Sequence, residues 1–478
     1  MSTYISYHSG NSDSVDSTDI YPTSAFLKYR MVIIALAFLS ISIFAVGFYS
    51  FSIFVSFLLF GIIGMALSSM HGYVGIKIFS LVYSTATFFA ILFYFIFQLE
   101  YGIPYGGGGS DSLIYEQHAA IVAKSIFIYN ADDIGQAIYQ PYHNSKGYIY
   151  FISLLIRFSD LLGGFHTMIP RLFNACILGI SSVLVYGISR KIALSPQQAL
   201  NSALVTGLFP IMIYVADQSL RDIPILVLML LSVYLAIGFI QTRRFLKQIV
   251  ILISFVPLFL IMMELRLLSV INIGIVLGVA LFVKLFSVKK FSNTYIFLTI
   301  VTALFAYTLI TTSELSLFID LAAKLDSSGT DLAEGVDRAG EGGLSLILFN
   351  LPTPFNYFGS LFYSFITPLP ILYTTDFDWN FLSVGTFYQF LFIPFVFAGI
   401  KCSYRSALML PVFFIFLVSF GGYVFGSFTF RHITYIVPFA AIYGVIGYER
   451  YKKQRWVIWP FLSLILVFLL LVYYAIKL

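Results

Sequence analysis

Charge is scarce in this chain. Only 10% of its 478 residues are Asp, Glu, Lys or Arg, while 59% are hydrophobic, including 52 Phe and 33 Tyr. No soluble fold buries that much apolar surface. Cysteine is nearly missing: Cys176 and Cys402 fall in or beside apolar segments, so no disulfide framework is implied. Walker-type, Rossmann-type and ABC-type motifs are lacking as well. With no visible nucleotide engine, any energy must come from an activated substrate or a gradient. The net charge of +5 invites a nucleic-acid reading, but the basic residues are placed for membrane topology and no nucleic acid is expected as a partner.

What is present is a series of apolar runs of about twenty residues, the pattern of an all-α polytopic membrane protein. The expected spans are 31–49, 51–70, 76–98, 171–190, 199–216, 223–241, 248–263, 267–284, 293–312, 382–400, 406–425, 431–447 and 456–476, about thirteen transmembrane helices with a cytoplasmic N-terminus. This topology puts about 17 of the 27 Lys+Arg at cytoplasmic ends and about 18 of the 22 Asp+Glu on the other side. The organisation is then a tail expected to be disordered rather than a cleaved leader (1–30), N-terminal spans (31–98), a first outer loop (99–170), a transmembrane core (171–312), a second outer loop (313–381) and C-terminal spans (382–478).

Two segments need separate treatment. If 147–165 spanned, Arg190-Lys191 and the basic clusters up to residue 290 would face outward, and Arg157 and Asp160 would sit in lipid. An amphipathic helix at the outer interface fits instead. Residues 343–374 are apolar but broken by Pro352, Pro354, Pro368 and Pro370. A re-entrant hairpin fits there, and two extra spans would give the same topology.

The outer helix ends carry the chemistry. Asp111 follows Gly106 to Gly109 and Ser110, a run that permits close approach of a ligand. A helix starting at Ser110 sets Asp111, Tyr115, His118 and Ala119 on one face. Asp111 is then either a helix-capping acid or a catalytic one. Asp217, Arg221 and Asp222 mark the next outward exit. An Asp217–Arg221 i,i+4 pair, worth about 0.3–0.5 kcal/mol, leaves Asp222 as a dipole partner or as a second acid beside Asp111. Arg431-His432 sits at an outer span edge against the positive-inside trend, and the planar Arg fork suits phosphate oxygens. Snorkelling to lipid headgroups is the plainer reading. Lys146, Arg171, Arg221 and Arg266 are further outward cations, and Glu264 and Arg266 are too close in sequence to face each other. His118, His143 and His166 lack metal-ligand spacing. Two acids on separate loops could share a divalent cation, though no motif demands a metal or other cofactor.

Three segments carry a further likeness. SDSLIYEQHAAIVAK (110–124) has an Asp followed by an aromatic and, a turn on, a small residue; the stretch from Pro170 to Ala236 has an Arg-Leu start, a small-residue helix with a basic end, an outer Arg-Asp and another helix; FRHITYIVPF (430–439) joins Arg, aromatics and Pro. Together they resemble the GT-C superfamily of integral-membrane glycosyltransferases, in particular the protein-mannosyltransferase-like and aminoarabinose-transferase-like bacterial branch. Ser112 stands where many relatives have a second acid, Lys146-Gly147 lacks a following proline run, and two extra spans precede the first loop.

The resemblance implies transfer of a sugar from a polyprenyl-phosphate-linked donor to a lipid-linked or glycan acceptor, on the outer face of a bacterial inner membrane, during cell-surface glycan assembly. Asp111 is then the expected base and Asp222 the second acid. Arg431 is expected on the leaving phosphate with Arg221 or His432, and Tyr115 and Lys146 on substrate. Membrane lipids are the other expected partners. Two rivals stand beside this: a polymerase joining lipid-linked repeat units, of O-antigen or capsule type, and a flippase or transporter. The second is disfavoured because the span centres hold almost no charge and no internal repeat is visible.

Overall fold

The computed structural model describes residues 29–106, 111–124, 145–266, 269–287, 377–426 and 430–477, together with Pro352 and Phe355. Every regular element among them is helical. In chain order the helices are α1 (Arg30–Gly47), α2 (Phe51–Ser68), α3 (Gly72–Tyr101), α4 (Asp111–Lys124), α5 (Lys146–Asp160), α6 (Met168–Lys191), α7 (Pro196–Leu208), α8 (Pro210–Asp217), α9 (Asp222–Gln241), α10 (Phe245–Leu265), α11 (Val270–Ser287), α12 (Phe377–Ser403), α13 (Leu410–Gly426), α14 (Val437–Tyr451) and α15 (Arg455–Lys477). A 3-10 turn, Phe430–Tyr435, precedes α14.

Six described stretches are long and apolar enough to cross a membrane, or seven if α7 and α8 form one bent span. These helices are compatible with the multi-pass character read from hydropathy, while the expected thirteen crossings are matched only in part by helices of this length. Apolar stretches within α11, α13 and α15 are shorter. The expected span 293–312 and the expected hairpin 343–374 lie outside the described residues, apart from Pro352 and Phe355.

The span expected as one helix over 199–216 is broken. Ser195 and Gln198 form a reciprocal capping box with Pro196 at the first helical position, which starts α7 cleanly. Pro210 has no N–H to continue the ladder and holds Phe209 in an extended conformation, so α8 leaves at 47°. Hydropathy alone is blind to this bend, which decides where Tyr214 and Asp217 go.

The amphipathic helix expected at 147–165 corresponds to α5. Its buried Tyr148, Ile149, Ile152, Leu155 and Ile156 recur every three or four residues and form one face, and the helix packs against α4, α6 and α10. Arg157 donates to the Val122 and Ala123 carbonyls and so closes the C-terminus of α4. Gly147 lets α5 start against the end of α10, where an added Cβ would lie 2.6 Å from Glu264 Cβ.

The two ends of the bundle close their helices differently. At one end Lys191 donates to the Tyr234 carbonyl, Gln241 to the Lys191 carbonyl, and Lys284 to the Ile240 and Thr242 carbonyls. Apart from the contact to Tyr234 within α9, these are cations and amides closing helix C-termini. At the other end α4 and α9 start on acids, α8 ends on one, and the Phe430–Tyr435 turn crosses between them.

Helices α12 and α14 touch backbone to backbone. A Cβ on Gly399 would lie 1.9 Å from the Tyr443 carbonyl oxygen, and one on Gly447 the same distance from that of Phe395. Only glycine permits such an approach. Gly447→Leu is expected to force the pair apart and lower the melting temperature in detergent by roughly 5–10 °C. Gly421→Leu, where a Cβ meets open space, should leave it unchanged.

Candidate functional site

Asp111 and Asp222 each open a helix, α4 and α9, where the dipole favours a negative charge. Helix capping alone would account for both. It does not account for the turn that joins them. Arg431 donates to Asp111 Oδ2 in an ion pair, and four residues later the Tyr435 hydroxyl donates to Asp222 Oδ1. One short turn therefore ties together two acids from distant parts of the chain.

The two acids differ in access. Asp222 is 3% exposed, while the Asp111 and Arg431 side chains are 32% and 29% exposed. Burial opposes the charge on Arg431, yet Asp222, and after it Asp111, outweigh that penalty and hold the guanidinium firmly protonated. Its Nε–H is buried with no hydrogen-bond partner. A fixed cation with an unused donor next to an exposed carboxylate is suited to an anion and a hydroxyl arriving together.

Other candidates gather at the same place. Arg266, just past α10, donates to His432 Nε2 at 3.2 Å. A guanidinium can only donate, so in this contact His432 Nε2 is the accepting nitrogen. Arg221 donates to Ser145 Oγ and to the Leu265 carbonyl, and Ser145 and Tyr115 hydroxyls are 3.2 Å apart. Tyr115 is buried, which pushes its phenol up; it also lies within electrostatic reach of Arg221, Asp111 and Asp222. Lys146 opens α5 beside Ser145 but makes no hydrogen bond to this cluster among the described residues. Four of the expected substrate-side and acidic residues, Asp111, Asp222, Tyr115 and Arg221, thus converge with Arg431 and His432 only through long-range packing, and Lys146 stays at the margin.

Two expectations are corrected. Asp217 does not pair with Arg221. It faces Arg171 at 3.4 Å, and both side chains are 1% exposed. Ser219, held at φ 25°, turns the chain between α8 and α9 so that Asp217 and Arg221 point to different neighbours. Arg431-His432 also does not open a transmembrane helix: it sits in the 3-10 turn, and α14 begins at Val437.

Arg171 and Asp217 belong to a second polar group, beneath the first, that spacing gave no reason to expect. Tyr105 donates to Glu116 at 2.8 Å, Thr167 to Glu116 at 2.9 Å, and Arg171 to the Pro104 carbonyl. Ser112 donates to the Gln218 carbonyl at 3.1 Å. Burial pushes the Glu116 carboxyl up, against these hydrogen bonds and Arg171, and drives His166 down to about 4 with help from Arg171. The group anchors α4, and hence Asp111, to α6 and α8. Arg171→Met strands the buried Asp217 carboxylate, and about 3–5 kcal/mol of stability should be lost, measured as a downward shift of the denaturation midpoint.

An apolar cleft of about 330 Å³ lies beside the turn, between α12, α13 and α14. Phe392, Phe416, Phe420, Tyr423, Ile433 and Val437 are among its walls. Ile433 is in the same turn as Arg431 and Tyr435, so greasy cleft and charged cluster share one short element. Among the described residues no three His, Cys, Asp or Glu side chains group closely enough to hold a metal ion.

No protein-family model, curated protein or solved structure matches this chain.

Proposed function

We propose that the chain is a membrane glycosyltransferase of GT-C type, with about thirteen spans and a cytoplasmic N-terminus. It moves a sugar from a polyprenyl-phosphate-linked donor to an acceptor hydroxyl at the outer face of a bacterial inner membrane. One observation carries the reading: Asp111, Asp222 and Arg431 meet at one end of the bundle, beside an apolar cleft. A carrier lipid needs both halves of such a site, a greasy channel for its tail and a cation for its phosphate.

In the proposed reaction the acceptor hydroxyl gives its proton to Asp111 as its oxygen bonds to the anomeric carbon. The bond from that carbon to the phosphate oxygen breaks, and polyprenyl phosphate departs with the electron pair and an added negative charge. A positioned base contributes about 10²–10⁴-fold, and a fixed donor on the developing anion about 10²–10³-fold. Arg431 supplies that donor, assisted by His432 and by Arg266. Asp222, gripped by Tyr435, holds Arg431 in place, while Arg221, Tyr115 and Lys146 border the acceptor side.

The test is purified protein in proteoliposomes with a radiolabelled polyprenyl-phosphate sugar and a pool of candidate acceptors. The reading expects label to leave the carrier and enter acceptor. Label that merely changes leaflet, still on its carrier, would favour a flippase. A second reading has its own support: Arg221, Arg266 and Arg431 around two acids would also suit a pyrophosphate, as a repeat-unit polymerase requires. Single-sugar products favour the transferase, and a ladder stepping by whole repeat units favours the polymerase.

A further inference from the structure

We infer that the Asp111 carboxylate occupies the position the donor's phosphate will take on Arg431, so that donor binding itself releases the base. The inference rests on the reading above and adds to it a cause and an order: donor first, acceptor second.

The geometry behind this is an overlap of roles. Asp111 Oδ2 accepts from Arg431 Nη1. While that pair stands, one oxygen of the base and one N–H of the phosphate grip are held on each other, so an arriving phosphate competes with Asp111 for that N–H. As the site stands, its two main residues hold each other.

The pair can open on one side only. Arg431 has a second acid, Asp222, which is buried and held by the Tyr435 hydroxyl. Asp222 is also surrounded by His432 and Arg266 in addition to Arg431. Leaving that environment would expose a buried cluster of charges, so Arg431 and Asp222 remain together. Asp111 is about one-third exposed at the start of α4, so its carboxylate already borders solvent. The exchange is therefore asymmetric: the arriving phosphate keeps Arg431 and displaces Asp111.

Charge favours the exchange as well. Arg431 pairs with Asp111, Arg266 and His432 lie in the field of Asp222, and Arg221 lies near Tyr115, so more guanidinium groups than carboxylates gather here while Asp111 remains attached. A phosphate brings several acceptor oxygens where the carboxylate brings two, and it can also engage the buried Nε–H that has no partner. Once displaced, Asp111 is next to the phosphate-bound sugar with both oxygens open to an acceptor hydroxyl. Without a donor it stays engaged, which guards against proton abstraction from unproductive hydroxyls.

Removing the internal competitor should tighten donor-side binding even as it stops transfer. The experiment measures equilibrium binding of undecaprenyl phosphate to the full-length protein in detergent, followed by intrinsic tryptophan fluorescence. Asp111→Asn and Asp111→Ser are each expected to bind it about three- to tenfold more tightly than the wild type, and Arg431→Ala to lose saturable binding. If both Asp111 variants bind equally or more weakly while Arg431→Ala still loses binding, the displacement is wrong and the transferase reading stands. If Arg431→Ala binds like the wild type, both fall.

Discussion

Asp111→Asn is expected to lower the rate constant for sugar transfer by about 10²–10⁴-fold, with the protein still folded. Asparagine is as good as aspartate at a helix start, so α4 keeps its N-terminus. The anchors of α4 are elsewhere, in Glu116 with Tyr105 and Thr167 and in Ser112 with the Gln218 carbonyl. What the amide cannot do is take a proton from a hydroxyl. Single-turnover transfer with saturating donor, set beside a melting curve, separates lost chemistry from lost structure. If the variant transferred at the wild-type rate, Asp111 would be a capping acid and nothing more.

Arg431→Ala should cost about 10²–10³-fold in the same assay, and for a different reason. The arginine is the only described group that hydrogen-bonds the exposed acid and also lies in the field of the buried one. Its removal leaves the departing phosphate without its main cation and leaves Asp222 with Tyr435, Arg266 and His432. Arg431→Lys is the informative companion. A lysine keeps the charge but is a single point rather than a fork, so it should recover the fold and only part of the rate. Equal rates for Lys and Arg would mean that charge alone matters and that the planar geometry is idle.

The sequence showed some of this site clearly. The glycine run ending at Ser110 marked the start of α4, and the expected outward placement of Arg431 against the topological trend singled out a residue that the structure ties to Asp111. Helical spacing correctly set Asp111 and Tyr115 on one helix. It failed where partners are remote. Asp217 looked matched to Arg221 by i,i+4 spacing, but its partner Arg171 lies 46 residues away, reached only because Pro210 bends the chain and Ser219 turns it. Arg266 gave a faint signal, since it could not pair with Glu264, yet nothing local pointed to His432. Tyr435 entered only as one of the aromatics of FRHITYIVPF. Its role comes from sitting one turn after Arg431, opposite the start of α9, a proximity that long-range packing creates.

The most direct test of the account is a structure of the full-length protein with undecaprenyl phosphate bound. The account predicts the phosphate on Arg431, the tail entering the cleft between α12, α13 and α14, and Asp111 turned away from the arginine. A phosphate bound instead at the opposite end, near Lys191 and Lys284, or a tail that bypasses Phe416 and Phe420, would contradict it.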